Sequence, residues 1–447
     1  MQVQVSLKIE IEATANLTQM EQQIQEAGRQ GMREALKQTI RQWEEQNVSC
    51  PHCGSTQRRL EGTTRRVLAT TFGRVQIQRR RFRCVQCWQR RCPANHLLAD
   101  LSGATVSQPL QEAAILVGAS WSYRVASHQL QKLCGADISA EEIRLLTNRC
   151  GKQRALKQME ETQQQTETAV APATGASSKP QPLLMGWDGG WVCSREQRGG
   201  MEGKVGVVSS KMQALPMPKR SSHFSWSERG GPRRPPRQRY RLSKRRYVAT
   251  FGPSKEFGLL AAHAANRVKE HPKQPEALVT DGAEWIKTQQ KLHFPEATCI
   301  LDWAHLWREV GRTLRAVFRA KQLPERERQY QSYLYRYWLW HGGVDQAVQG
   351  FRDVAEGLPE DLMQRVHRTI TYLENQREWI GSYEQWRKQG YPVGSGMIER
   401  AVSLVINRRM KKRGMRWCRD NATAVVALRT DLLNEDWETP QRLRAFP

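Results

Sequence analysis

The sequence lacks any apolar run approaching the roughly 18 residues of a membrane-spanning helix, which removes a transmembrane segment from its reading. Its opening, Met1-Gln2-Val3-Gln4-Val5-Ser6-Leu7-Lys8, alternates polar and apolar residues and holds no apolar block of a secretory leader. Acidic residues are scarce: 44 Asp and Glu stand against 70 Lys and Arg, a formal net charge of +26. That imbalance points to a polyanionic partner, nucleic acid or an anionic membrane surface. The expectation is a soluble, intracellular, basic protein. At 447 residues it exceeds one ordinary core, so roughly two to four domains are expected.

Ten cysteines would fit disulfides in a secreted chain, but no leader is read here, and four of them fall in two close pairs. These are Cys50-Pro51-His52-Cys53 and Cys84-Val85-Gln86-Cys87. A CxxC turn offers two thiolates to one ion, and two such turns complete a closed tetrahedral site. Strand-like segments Arg66–Thr71 and Arg74–Arg79, divided by Gly73, lie between them. The expectation is a zinc ribbon over residues 49–97 with one structural Zn²⁺. Cys92 is read as a spare thiol. The ribbon follows an alternating segment, Val3 to Ile11, expected as a strand, and a polar amphipathic helix from about Leu17 to Gln46, together residues 1–48.

Residues 98–158 turn helical. Leu110–Gly118 and Ser122–Leu133 read as short helices, and Ser139-Ala140-Glu141-Glu142 opens a third with a capping-box layout. Two helices joined by the glycine turn at Gly135 make a helix-turn-helix candidate, whose third helix carries Arg144, Asn148, Arg149, Lys152 and Arg154 toward DNA. Gln158 to Gln181, rich in Gln, Thr, Ser and Pro, reads as a flexible linker over 159–181.

Beyond it, apolar runs end in acids. Leu183–Trp187 leads into Asp188-Gly189-Gly190, Ala277–Thr280 into Asp281-Gly282, and Thr298–Leu301 into Asp302. Glu399 follows Gly394-Ser395-Gly396 at a helix start. Three strands followed by alternation with helices argue a mixed sheet, and ligands of open α/β sheets gather at the carboxyl ends of parallel strands. Asp-Gly pairs also mark simple turns. Separated acids brought together in a basic chain argue instead for two-ion chemistry with Mg²⁺ or Mn²⁺ on a polyanion. Asp302 competes for a metal position and ranks below Asp188 and Asp281.

Four blocks in this order, Gly186–Gly190, Val279–Ile286, Ile300–Leu306 and Gly394–Glu399, resemble DDE-type insertion-sequence transposases, in particular the ISKra-type group, itself similar to the Mutator-like superfamily. The resemblance spans most of the chain after the linker. It implies an RNase H-like core in which Asp188, Asp281 and Glu399 bind two Mg²⁺ or Mn²⁺ ions. It also implies a role for His305, in Asp302-Trp303-Ala304-His305, near the scissile phosphate or flanking DNA; from the residues alone His305 reads equally as a satisfied histidine at a helix start. The first part of that core is expected over 182–302 and the last over 391–432, with a tail at 433–447. Between them, 303–390 reads as a helical insertion rich in tryptophan, most of it core. Residues Lys211–Arg246, including Arg233 and Arg234, read as a basic loop following DNA, and Arg408 and Lys411 place further cations after Glu399.

The expected architecture is thus multidomain α+β, with a mixed α/β core behind a ribbon and a helix-turn-helix. The expected function is a DNA transposase acting on terminal inverted repeats and target DNA, working as a homodimer or larger assembly, without membrane, in a prokaryotic cytoplasm at the nucleoid. In-line attack of water on phosphorus would cut a strand, and the freed 3′-hydroxyl would attack target DNA. The alternatives are a domesticated DNA-binding regulator without catalysis and an RNase H-like nuclease that cuts without joining.

Overall fold

Asn16 starts the first helix by a reciprocal cap: its side chain accepts from the Gln19 backbone, and the Gln19 side chain accepts from the Asn16 backbone. A computed structural model describes residues 2–7, 9–11, 15–98, 105–164, 181–215, 225–227, 231–233 and 240–437. The chain divides into two units, 1–150 and 151–437. Among the described residues no helix is long and apolar enough to cross a membrane.

In the first unit, α1 (Leu17–Gln46) packs on a three-stranded antiparallel sheet of β1 (Arg58–Thr70), β2 (Gly73–Cys84) and β3 (Arg90–Arg91). Leu36 and Ile40 of the helix meet Leu68, Val75 and Ile77 of the sheet, joined by Ala94 of the short α2 (Ala94–Leu97). Glu44 is buried there and held by Arg80, Nε to Oε2 at 2.9 Å. The strand expected at Val3–Ile11 is not found: residues 2–7 and 9–11 have no regular structure. Period-2 alternation needs a neighbouring strand to become a ladder, and none pairs with it among the described residues. Leu7 instead sits against α1, where Gly31 leaves no room for a Cβ, which would lie 2.4 Å from Leu7 Cδ2.

Three helices follow: α3 (Gln108–Ser120), α4 (Tyr123–Cys134) and α5 (Ala140–Gln164). Ser139 caps α5 by accepting from Glu142 N at 3.0 Å, as its sequence foretold. Gly135, left-handed at φ 65°, closes α4. The helix α5 runs on to Gln164, past the expected linker boundary. Residues 165–180 of that linker lie outside the described residues.

The second unit is built on one mixed sheet. Its strands are β4 (Leu183–Cys193), β5 (Gly200–Ala214), β8 (Tyr240–Thr250), β9 (Glu276–Thr280) and β10 (Thr298–Leu301), in the order β10-β9-β4-β5-β8. The pairs β10/β9 and β9/β4 are parallel, and β4/β5 and β5/β8 are antiparallel. A separate two-stranded ribbon, β6 (Ser225–Ser227) with β7 (Gly231–Arg233), lies within the β5–β8 connection.

Each sheet face buries its own core. On one face, Val205, Val207, Ala249 and Phe251 meet α13 (Gly396–Val402), a π-helical turn (Ser403–Asn407), α14 (Arg408–Met410) and α15 (Arg419–Asn434). On the other, Met185, Trp187 and Val248 meet α6 (Ser254–Val268) and α7 (Glu284–His293). That second core continues without a break into α8 (Trp303–Ala320), α9 (Glu325–Trp340), α10 (Val344–Ala355), α11 (Glu360–Asn375) and α12 (Tyr383–Lys388). The tryptophans of this helical block therefore pack inward. Trp340 and Trp379 are buried, while Trp303, Trp307, Trp338 and Trp386 lie half-buried against the same core.

Candidate active site and metal centre

The register of β4 on β9 creates the site. Trp187 pairs with Thr280, so Asp188 and Asp281 come next on parallel strands about 4.8 Å apart. Asp188 does not end its strand, contrary to expectation. The ladder with β5 carries β4 on through Gly189 and Gly190 to Cys193, because the antiparallel neighbour keeps pairing after β9 has stopped.

Gly186 and Gly190 share a face with Asp188, since side chains alternate along a strand. A Cβ at Gly186 would lie 2.9 Å from Met397 Cε, and one at Gly190 would lie 2.7 Å from Ile406 Cδ1. The two glycines thus let the helical segment that begins with α13 lie directly on β4. That segment carries Glu399 in its first turn, on the face of the sheet that holds Asp188. Gly190→Ala is therefore expected to force the helix outward and lower stability by about 1–3 kcal/mol, measured by denaturant unfolding. An unchanged midpoint would show that the helix is free to shift.

The acids feel one another. Burial first, and the Asp281 charge second, raise Asp188 to about 7, with the Glu399 and Glu202 charges adding to the effect and the Gly189 N–H opposing it. Asp188 accepts that N–H at 2.7 Å, Asp281 accepts from Ala283 N at 3.1 Å, and Glu399 accepts from Ser395 Oγ at 3.1 Å. Their oxygens do not converge as ligands of a single ion: among the described residues, the one group whose ligand atoms all lie within 4.8 Å of one another is a set of cysteines. Two ions about 4 Å apart, each about 2.1 Å from its oxygens, span up to about 8 Å and need no such convergence. An all-oxygen set whose members repel one another, with a half-buried carboxylate at its centre, fits a hard divalent cation.

Asp302 has a different employment. Its Oδ1 accepts from Ala304 N at 2.6 Å and His305 N at 3.4 Å, capping α8, and its Oδ2 accepts from Ser395 N at 3.3 Å. Both oxygens are committed to backbone, and the residue links the start of α8 to the turn that presents Glu399. We expect Asp302→Ala to lose about 1 kcal/mol of stability, read by thermal unfolding, and Asp302→Asn, whose side-chain oxygen can still cap the helix, to lose less. Equal unfolding midpoints in Asp302→Ala and the wild type would show that these hydrogen bonds do not hold the turn. His305 stands half-buried in the first turn of α8, and no hydrogen bond or ion pair of its ring is found among the described residues.

Two further residues lie by the site without any local sequence signal, and one of them braces it. Gln376, at the end of α11, donates from Nε2 to Gly282 O at 3.0 Å and fixes the turn after Asp281, where Gly282 has φ +81°. Tyr372, one turn earlier, holds a buried hydroxyl without a hydrogen-bond partner. Burial, then the charges of Glu309, Asp281 and Asp302, raise that hydroxyl. The glycines at 186 and 190 did offer a signal: small residues two positions either side of an acid mark the close approach of another element.

The four cysteines Cys50, Cys53, Cys84 and Cys87 do come together. Cys50 and Cys87 sulfurs lie 3.5 Å apart and those of Cys53 and Cys84 3.6 Å, against about 3.8 Å for the edge of a tetrahedral zinc–thiolate site. The two knuckles repeat one geometry. Gly54 N donates to Cys50 O and Cys50 N to Ser55 O, just as Trp88 N donates to Cys84 O and Cys84 N to Gln89 O. The residue after each pair is left-handed, Gly54 at φ 71° and Trp88 at φ 61°. The Cys87 backbone N–H, assisted by that of Gln86 against burial, draws the Cys84 thiol down to about 6, while Cys87, despite the Gln89 backbone N–H, is pushed up to about 12 by burial and by the thiols of Cys53, Cys50 and Cys84. This cluster can hold a metal ion such as zinc. Cys92 stays outside it.

The expected DNA contacts fare unevenly. Arg149, Arg408 and Lys411 are exposed, as are Lys412 and Arg413. Arg144 is paired with Glu141, Nε to Oε2 at 2.8 Å. Asn148 is buried, and Arg154 is enclosed between Asp431 and Glu161, so neither faces solvent as expected. Helix packing outranks polarity at these two positions. Arg234 lies outside the described residues, and of Arg233 only the backbone is described. The ladder of β5 with β8 runs on to Ala214 and Tyr240, about 30 Å of extended chain beyond Val205, the partner of Asp188. The segment between them therefore leaves the sheet at the end opposite the carboxylates. Compared with models of known protein families and with curated proteins, the chain matches none.

Proposed function

We propose that this chain is a DNA transposase of the DDE type, with Asp188, Asp281 and Glu399 as its cutting centre. One observation carries the reading: the sheet register sets two acids side by side at the end of a parallel strand pair, while paired glycines admit a helix bearing the third. The strand order supports an RNase H-like core, in which three antiparallel strands precede two parallel ones on the far side of the first. The net charge of +26 supports a nucleic-acid substrate.

In this reading Asp188, Asp281 and Glu399 would hold two Mg²⁺ or Mn²⁺ ions, which when bound supply activation of the attacking hydroxyl and stabilisation of the leaving oxygen. The chain's own contribution is placement. Asp302 and Ser395 orient the turn before Glu399, Gln376 fixes the turn after Asp281, and the sheet holds Asp188 between them. Exposed cations after Glu399, Arg408 and Lys411 among them, would grip the strand being cut. The cysteine cluster would hold structural Zn²⁺, and the ribbon with α3–α5 would recognise the element ends.

The test is purified protein with labelled element ends, a target plasmid and Mg²⁺ or Mn²⁺. Cut ends joined to target are the expected product. Cutting without joining would make the protein a nuclease, and binding without cutting a regulator.

A further inference from the structure

Helix α8 leaves the candidate site with one face buried and the other almost wholly cationic. Leu306, Val310, Leu314, Val317 and Phe318 turn into the core. Trp303 meets Trp340 of α9 at 4.9 Å, and Thr313 meets Thr369 of α11 at 2.8 Å, so helices flank it on two sides. The remaining exposed face carries Arg308, Arg312, Arg315 and Arg319. Their spacing, i, i+4, i+7 and i+11, puts all four in one row.

The row is short of counter-charge. Elsewhere in the helical block Arg328 meets Glu325, Arg352 meets Glu374 and Arg377 meets Asp345. Among the described residues, the one cation of α8 that has an acid is Arg312, with Glu309 at 2.8 Å. Among the described residues, no ion pair or hydrogen bond holds the guanidinium of Arg308, Arg315 or Arg319. Each unpaired guanidinium adds repulsion along the helix, a cost that a soluble surface avoids by interspersing acids. The face also lacks the aromatic or aliphatic anchors on which protein interfaces depend. A regular row of cations without apolar anchors fits a polyanion backbone.

Its position gives it direction. The helix starts at Asp302, whose second oxygen holds the turn presenting Glu399, so the row begins nearly two turns along α8 from that residue and leads away. From Arg308 to Arg319 it rises about 16 Å, close to the axial length of about five phosphates of one strand. We propose that this face of α8 is a track for the sugar–phosphate backbone of the DNA flanking the cut. The proposal rests on the cutting-centre reading for its substrate, but it makes a separate claim about where DNA lies.

The test uses the full-length protein with all four arginines replaced by Gln, and a second variant with all four replaced by Lys. The probe is a fluorescent random-sequence duplex without Mg²⁺ or Mn²⁺, its affinity measured across a range of NaCl concentrations. The Gln variant should show a slope of log K against log salt shallower by about 0.9 per lost phosphate contact, about 3.6 units for all four, while the Lys variant keeps the wild-type slope. Unfolding midpoints of both variants report that the fold is intact. A Gln variant with the wild-type slope overturns the track, even if the wild-type protein cuts DNA. A shallower slope in a protein that never cuts supports the track and removes only the cutting reading.

Discussion

Replacing Asp188 by Asn should reduce metal-dependent DNA cleavage roughly a thousandfold or more while leaving the fold in place. Removing one of a few oxygen ligands deletes several kcal/mol of charge stabilisation at the transition state, and about 4 kcal/mol corresponds to that factor. The fold should tolerate the change because the carboxylate is a liability without a cation. Burial and the Asp281 charge raise it from 3.8 to about 7, so its protonated form favours the folded state. The sign follows: in metal-free protein this contribution is full below about pH 4 and is lost as pH rises through about 7. The wild-type protein should therefore lose thermal stability over that window, and Asp188→Asn should lose less. Added Mg²⁺ or Mn²⁺ at neutral pH should restore the wild type and leave the variant unchanged. A variant that cuts at the wild-type rate would remove Asp188 from the chemistry. A pH profile identical in both proteins would remove the repulsion among the acids.

The second large effect belongs to the cysteines. Structural zinc contributes on the order of 10–16 kcal/mol in small zinc modules, as much as burying the apolar core of Leu36, Ile40, Leu68, Val75 and Ile77 at about 1.5–3 kcal/mol per side chain. Cys84→Ser should abolish stoichiometric zinc and make the arginine-rich strands β1 and β2 susceptible to trypsin. Cys92→Ser should do neither, since Cys92 lies outside the cluster. Inductively coupled plasma mass spectrometry and limited proteolysis check both. A zinc-free wild-type protein whose ribbon still resists trypsin would contradict the assignment.

What could be seen in the sequence follows from how local each signal is. The CxxC pairs and the glycine between their strands are local, and the hairpin with its clustered sulfurs followed. The apolar runs before Asp188, Asp281 and Asp302 marked three strands of the sheet, and Ser139 marked the start of α5. Strand extent was less legible. The arms of β5 and β8 reach Ala214 and Tyr240 because they pair with each other outside the apolar centre, which leaves no hydrophobic trace. Asp302 looked like Asp281, each an acid closing an apolar run. Only the long-range hydrogen bond to Ser395 separates a cap from a candidate ligand. Gln376 reaches Gly282 from the far end of the helical block, a contact no window of sequence contains. The alternation at Val3–Ile11 carried the reverse lesson, since a pattern without a partner strand makes no sheet. The arginine row on α8 was present as spacing, yet it became meaningful only once its opposite face proved buried.

A single cutting centre requires that Glu399, distant in sequence from the other two acids, ligate the same ions. Single-turnover cutting by Glu399→Cys, compared in Mg²⁺ and in Mn²⁺, asks this directly, because a thiolate accepts the softer ion more readily than the harder one. Cleavage should be lost in Mg²⁺ and substantially recovered in Mn²⁺. Full activity of the variant in Mg²⁺ would contradict ligation by Glu399.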